Sequence, residues 1–339
     1  MQNQPLRQYF CPMARGRTLM KCAFLPLAAL FVSIVAAQTS HPARSFALQA
    51  EDPHFWDLLE HDAKLERIAT GFGFTEGPVW DPNGFVYVSD EEQNKIFQVY
   101  DDGRRKELIT LGDPDGNTYD QDGKLIDCAS VLRAMIRIGA DGKYTILADR
   151  FEGKRFNSPN DVVIGPDGAI YFTDPTLDLP QGEKQEIPFQ GVYRLDREGE
   201  VRLLTKELTQ PNGLAFSPDG KKFYVDDSEQ RNIRVYDFHP DGTVSNGRIF
   251  GSEAGPPKSG VPDGMKVDKN GNLYVTGPEG IWVWDAQGHH LGTIVMPEQP
   301  ANLAWGGADY GTLFITATKS VYRLRTKAQG YVPYLKPAR

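Results

Sequence analysis

Glu76, Asn160, Asn212 and Asp263 occupy matching places in four segments that otherwise share little: Glu76-Gly77-Pro78, Pro159-Asn160-Asp161, Pro211-Asn212-Gly213 and Pro262-Asp263-Gly264. Each offers a side-chain oxygen, two from carboxylates and two from neutral amides. Brought together, such hard donors suit a calcium ion, serve magnesium or manganese less well, and give zinc neither imidazole nor thiolate. Two negative charges facing a divalent cation leave the set near neutral, with positions open for water and substrate. Any one segment alone is a common turn former. The recurrence of an oxygen donor in one register, with its identity changing, is what points to a shared ion.

Positioning these residues falls to a repeat. Arg155 to Ile164 reads as a polar loop entering an apolar strand, Gly165-Pro166-Asp167-Gly168 as a turn, and Ala169 to Asp174 as a second strand. The same order recurs at Glu76 to Asp90, more weakly at Asp115 to Ile126, at Asn212 to Val225, at Asp263 to Val275, and at Asn302 to Ile315, where the polar pair at the head is lost. Third apolar runs follow most copies, such as Ile96 to Tyr100 and Ile233 to Asp237. A spacing of roughly 40–50 residues is the period of propeller blades. A four-stranded sheet of that size cannot hide its faces alone, so the blades stack around an axis and the heads converge at one end of the channel. The sequence therefore predicts an all-β, six-bladed β-propeller of four-stranded antiparallel blades. Leu65 to Thr70 precedes the first copy and the last copy ends early at Val321-Tyr322-Arg323-Leu324, so the N-terminal strand is expected to complete the last blade and close the ring.

Before the repeat, Arg7, Arg15, Arg17 and Lys21 lead into an apolar run from Cys22 that ends at Val35-Ala36-Ala37. That run is shorter than the ~20 residues of a spanning helix, and residues 1–37 read as a signal peptide, with Met13 or Met20 as alternative starts. A periplasmic or secreted protein follows, with no membrane attachment after cleavage; an uncleaved anchor is the other reading. Residues 38–64 form a polar extension in which Phe55-Trp56-Asp57-Leu58-Leu59 is a short helix or apolar plug, and residues 65–339 form the propeller. Removing the leader takes four basic and no acidic groups, so the net charge goes from 37 − 45 = −8 to 33 − 45 = −12. Such an acidic protein is a poor partner for nucleic acid. Cys128 is then the sole cysteine, so no intrachain disulfide forms, and roughly 300 residues bury an adequate core without one.

Arg155-Phe156-Asn157-Ser158-Pro159-Asn160-Asp161, Pro211 to Ser217, Val261 to Val267 and Pro300 to Gly307 together resemble the gluconolactonase branch of the SMP-30/gluconolactonase/LRE family of six-bladed propellers, over about Gly73 to Arg325. The resemblance implies a divalent metal held by Glu76, Asn160, Asn212 and Asp263, and hydrolysis of a small-molecule sugar lactone with Asp263 acting in water activation. It also implies that Asp115 and Asn117 line the substrate pocket, beside Asn160 and Asp161. Members often read Asn-Gly-His-Thr or Asn-Gly-Asn-Thr where this chain has Asp115-Gly116-Asn117-Thr118, and Cys-Glu-His-Gly near Cys128-Ala129-Ser130, so an altered substrate is expected. A related esterase or phosphotriesterase on the same metal, and a ligand-binding propeller without turnover, are the alternatives. A monomer or weak dimer is expected.

Other machinery is sparse: there is no Gly-x-Ser-x-Gly elbow, Walker loop or His-Glu-x-x-His. Asp113 to Gly123 misses the calcium-loop pattern because Thr118 stands where the loop glycine belongs. His239, His289 and His290 fall in turns and are expected to be solvated. Trp80, Trp282, Trp284 and Trp305 fall on strands and are expected in packing between blades. The long loop Leu177 to Phe189 is expected either to cover the channel or to lie free on the surface.

Overall fold

The computed structural model describes residues 44–256 and 259–334; the segment read as a signal peptide lies outside them. Six antiparallel sheets form the blades. Blade 1 is Thr75–Asp81, Phe85–Asp90, Lys95–Tyr100 and Arg105–Thr110; blade 2 is Pro114–Tyr119, Leu125–Ala129, Ala134–Ile138 and Tyr144–Ala148; blade 3 is Val162–Ile164, Ile170–Asp174, Gly191–Leu195 and Val201–Thr205. Blade 4 is Pro211–Phe216, Lys222–Asp227, Asn232–Phe238 and Val244–Ser252, and blade 5 is Met265–Val267, Leu273–Gly277, Gly280–Trp284 and His290–Val295. Blade 6 takes Pro300–Gly306, Thr312–Ala317 and Ser320–Arg325, and its outer strand is Leu65–Thr70, paired from Leu65↔Leu324 to Thr70↔Ser320. The ring is thus closed by the N-terminal strand, as the early end of the last repeat predicts.

Burial follows the ring. Alternating apolar residues on each blade meet those of its neighbour, giving one apolar cluster at every junction: Val79 with Ile136 between blades 1 and 2, Ile126 with Phe172 between 2 and 3, Val163 with Leu214 between 3 and 4. Ala215 with Met265, Tyr274 with Leu303, and Trp80 with Phe314 complete the circle. Trp80 stacks on Phe314 at 4.8 Å and Trp305 meets Tyr274 edge-on at 5.1 Å, so these tryptophans seal junctions between blades. No blade can leave without exposing two such faces, which is why the domain behaves as a closed unit.

Three features lay outside the repeat pattern. Ala47–Ala50 adds a fifth strand to blade 5, with Ala47 opposite Val295, and the helix Phe55–Leu58 buries Phe55, Leu58 and Leu59 against blades 5 and 6. His290, expected in solvent, instead stacks on Trp282 at 4.5 Å, and burial lowers its pKa. The third is the C-terminal segment, which crosses beneath the ring. Tyr331 to Tyr334 face the innermost strands of blades 1, 2, 3, 5 and 6 at the end of the channel away from the repeat heads. The Tyr334 hydroxyl donates to the Trp80 carbonyl at 3.1 Å and its ring meets Tyr119 at 5.4 Å. Ending the chain after Gly330 removes this plug, and the lost burial is expected to lower stability by about 2–4 kcal/mol, read as a lower urea midpoint; an unchanged midpoint would show that the plug bears no load.

Candidate active site

The site lies at the other end of the channel, and a recurrent defect in the innermost strands creates it. The pairing of inner strand with second strand slips between Glu76 and Val79, between Pro114 and Asn117, between Pro211 and Leu214, and between Pro300 and Asn302. A bulge of this kind re-aims side chains out of the sheet. In blades 3 and 5 the inner strand starts late, and Asn160 and Asp263 are fixed just before it by their N–H groups, which donate to the Thr173 and Thr276 carbonyls at 3.0 and 3.2 Å. The residue after each head must be small where blades touch. A Cβ on Gly77 would lie 2.0 Å from the Asp115 carbonyl oxygen, and one on Gly213 would lie 2.0 Å from that of Asp263.

Hydroxyls brace one head against the next. Ser89 Oγ donates to the Asp115 carbonyl at 2.7 Å, Ser130 Oγ to that of Pro159 at 2.6 Å, Ser228 Oγ to that of Pro262 at 2.7 Å and Thr276 Oγ1 to that of Ala301 at 2.7 Å. These bonds tie the heads of blades 2, 3, 5 and 6 to the second strand of the preceding blade or to the residue that follows it. The heads therefore have little freedom to drift.

Glu76, Asn160 and Asn212 are buried at the heads of blades 1, 3 and 4, and Asp263, at the head of blade 5, is half-buried. Glu76 Oε2 accepts the Gly77 N–H at 2.5 Å and Asn302 Nδ2 at 2.9 Å, which leaves Oε1 without those partners. Asn160 Nδ2 donates to Asp115 Oδ2 at 2.6 Å, which settles the amide's orientation and turns its oxygen away from Asp115. The Asn212 amide is within reach of the Asp263 carboxylate. Burial pushes Glu76 up to about 7, aided by repulsion from Asp161. Asp263 is raised well above the usual carboxylate range, first by burial and then by repulsion from Glu76 and Asp161.

Such a crowd of carboxylates asks for positive charge. Among the described residues no three His, Cys, Asp or Glu side chains form a cage, so a cation here would be held by a mixed set. The residues fit that role: the Asn160 amide, its N–H group turned toward Asp115, presents oxygen, Asn212 offers a second amide, and two carboxylates supply charge.

The other expected substrate residues divide between two levels. Asp115 is at the head of blade 2 against Asn160, raised by burial and by repulsion from Glu91. Asn117 lies in the wall below, with Nδ2 shared among the Gly77 carbonyl at 3.0 Å, Ser89 Oγ at 2.7 Å and the Asp115 carbonyl at 3.1 Å, while its Oδ1 is buried without a partner. Asp161 is also buried, its Oδ1 accepting the Val162 N–H at 2.8 Å and its Oδ2 unpartnered.

The sequence reading missed several members. The sixth head, taken as having lost its polar pair, supplies Asn302, which reaches Glu76. Lys266 donates to Asn302 Oδ1 at 3.2 Å. The long loop of blade 3 packs down: fully buried Arg133 reaches Glu183 at 2.8 Å, Glu186 accepts the Arg155 N–H at 2.9 Å, and Asp178 comes within reach of Asn160. Asp178, Asp113 and Glu91 are all raised by burial and give the mouth an acidic rim. Asn302 and Lys266 were legible as polar residues on inner strands, but nothing in their local pattern marks their facing the axis.

The sequence profile of the SMP-30/Gluconolactonase/LRE-like region matches residues 74–319. The chain belongs to this family. It is similar to a gluconolactonase of Zymomonas mobilis, 32% identical over 94% of this chain and 99% of that protein. It is also similar to the pentonolactonase XacC of Haloferax volcanii, 31% identical over 74% of this chain and 83% of that protein. Among solved structures, a gluconolactonase from Xanthomonas campestris superposes with a TM-score of 0.76 at 31% identity, covering 85% of this chain and 99% of that one. Membership of the SMP-30/gluconolactonase/LRE-like family accounts for the six-bladed ring and its head motifs together.

Proposed function

We propose that this protein hydrolyses a small sugar lactone with a divalent cation, calcium by the chemistry of the donors, held by Glu76, Asn160, Asn212 and Asp263. The observation that carries the reading is the orientation of the donors. Asn160 and Glu76 are each pinned by a neighbour, Asp115 and Asn302, so that one oxygen of each is left without that bond. The lactonase relatives, similar over 94% and 74% of the chain, support the substrate class.

A bound cation supplies Lewis-acid polarisation of the lactone carbonyl and relief of the charge that develops on its oxygen. The residues do the rest. Asp263 removes a proton from the attacking water; burial and its carboxylate neighbours favour its protonated form, and a bound cation would draw it back to the ionised form in which it acts as a base. Asn160 and Asn212 hold their positions through carboxylate contacts and keep the reacting groups in line. Asp115 and Asp178 flank Asn160 at the mouth, where they accept sugar hydroxyls; Asn117 and Asp161 shape the floor. The leader-like residues 1–37 support export to the periplasm or beyond, which N-terminal sequencing of the exported protein tests.

Acid release from a panel of aldonolactones, run on chelator-stripped and calcium-reloaded protein, tests the function. Turnover by the reloaded form with almost none by the stripped form is the expected result; saturable binding without acid release would make the protein a binding propeller.

A further inference from the structure

Below the four donors lies a second set of polar groups that a cation-binding role does not by itself require: Lys266, Asn302 and Asp161. Lys266 sits on the inner strand of blade 5 and lines the narrow lower channel with Asn117 and Thr118. Its ammonium is fixed by the Met265 carbonyl at 2.9 Å and Asn302 Oδ1 at 3.2 Å. Asn302 is 2% exposed and held at several points: its N–H meets Thr316 Oγ1 at 3.1 Å, its Oδ1 accepts the Leu303 N–H at 2.9 Å, and its Nδ2 donates to Glu76 Oε2 at 2.9 Å. One rigid amide thus links the ammonium to Glu76. Asp161 is also within reach of Asn302 and feels the same ammonium, and Lys266 is the cation whose attraction acts on both carboxylates.

The arithmetic of charge gives this arrangement a meaning. Glu76 and Asp263 alone would balance a divalent ion. Asp161, close enough to repel both, brings a third negative charge that would favour a trivalent ion and leave a divalent one overneutralised. Fully buried Asp226, repelled by Asp263 and Asp161, stands on the same side of the balance, and Lys266 is the cation set against this excess.

We propose that Lys266 is a built-in counter-cation of the site, set against Asp161 and holding the Glu76 carboxylate through Asn302, so that it shifts the cluster's preference from a trivalent toward a divalent cation. Lys266 is in this sense a positioning and charge-matching residue that need not touch the substrate. The proposal rests on the cation reading given above, and its test separates the two.

The experiment is isothermal titration of the full mature protein with calcium chloride and with terbium chloride, comparing Lys266→Met, Lys266→Arg, Asp161→Asn and the Lys266→Met/Asp161→Asn double variant. Loss of one positive charge beside the carboxylate cluster acts more strongly on a trivalent than on a divalent ion, so Lys266→Met is expected to raise the terbium-to-calcium affinity ratio on the order of tenfold. Lys266→Arg keeps the wild-type ratio, Asp161→Asn moves it the other way, and the double variant returns it toward wild type. Because the ratio is taken within one protein, a general loss of stability cancels from it. If Lys266→Met folds poorly, Asp161→Asn carries the test alone, and a ratio that fails to fall there overturns the proposal. A Lys266→Met ratio within about twofold of wild type, with both ions still bound, overturns it too. Wild-type protein that binds neither ion overturns the cation reading, and this proposal with it.

Discussion

Asp263→Asn is expected to lower kcat for an aldonolactone by on the order of 10²–10⁴, the range a positioned general base contributes, while calcium binding survives in weakened form. Asparagine keeps the side-chain shape and one oxygen donor but has no basic oxygen to take a proton from water. The backbone at this position is held independently of the side chain, by the Asp263 N–H to the Thr276 carbonyl at 3.2 Å and by Ser228 Oγ to the neighbouring Pro262 carbonyl at 2.7 Å. The variant should therefore fold like the parent. Steady-state acid release, with calcium titrated in parallel, separates loss of the base from loss of the ion. Wild-type kcat in Asp263→Asn at saturating calcium would remove the base role altogether.

The second large effect is expected at a residue with no chemistry of its own. Gly213 lies where blades 4 and 5 touch, and a Cβ there would stand 2.0 Å from the Asp263 carbonyl oxygen and 2.7 Å from Asp226 Oδ2. The first of these is backbone, fixed between blades, and cannot swing aside as a flexible side chain would. Gly213→Ala must therefore push the head of blade 5 outward, at a cost of about 2–3 kcal/mol, the upper part of the usual range for overpacking. It should also lower kcat/KM at least 100-fold, because a shift of about 1 Å in Asp263 spoils the alignment of base, water and substrate. Gly84→Ala is the control. Nothing lies within 4 Å of a Cβ there, so only the strain of its φ of +92° remains, about 1 kcal/mol by analogy with other left-handed positions, and activity should be untouched. Urea midpoints and kcat/KM for the pair check both halves; equal behaviour of the two variants would show that close contact between blades does not set the site.

What the sequence carried, and what it withheld, divides along a physical line. Strand alternation and the Pro-Asp-Gly turns record which face of each strand is buried inside one blade, and that information is local. The blades, their number and the closing strand Leu65–Thr70 were legible for that reason. The heads at Glu76, Asn160, Asn212 and Asp263 were legible because they share a register. Asn302 was not, because the sixth copy carries its amide one place later, after Ala301, and its reach to Glu76 depends on a contact that joins the two ends of the ring. Lys266 and Asp178 were hidden for a related reason: the first lies on an apolar strand whose pattern gives no sign of an axial ammonium, and the second sits in a loop whose path is set by the ion pair of Arg133 with Glu183. The fifth strand of blade 5 and the C-terminal plug belong to the same class, since short segments without a repeat find their partners only once the ring exists.

These hidden members change the electrostatics of the site. A reading from the four heads alone gives two negative charges and a near-neutral pocket. Around them the structure sets Asp161 and Asp115, both expected in the pocket, and adds Asp178, Asp113 and Glu91 toward the mouth, with Lys266 beneath as the cation that acts on Glu76 and Asp161. Burial raises these carboxylates, and repulsion adds to it at Glu76, Asp263, Asp115, Asp113 and Glu91. A divalent ion would draw them back toward the ionised form, so metal binding and proton release should be coupled.

The central claim is that oxygens from blades 1, 3, 4 and 5 act on one cation to open a lactone. Calcium titration of stripped wild-type protein, with acid release from gluconolactone followed at each addition, tests it most directly. The account predicts that turnover rises in step with the filling of one site per chain and that Asn160→Ala lowers both together. Full turnover in stripped protein, or a filled site with no acid released, would contradict it.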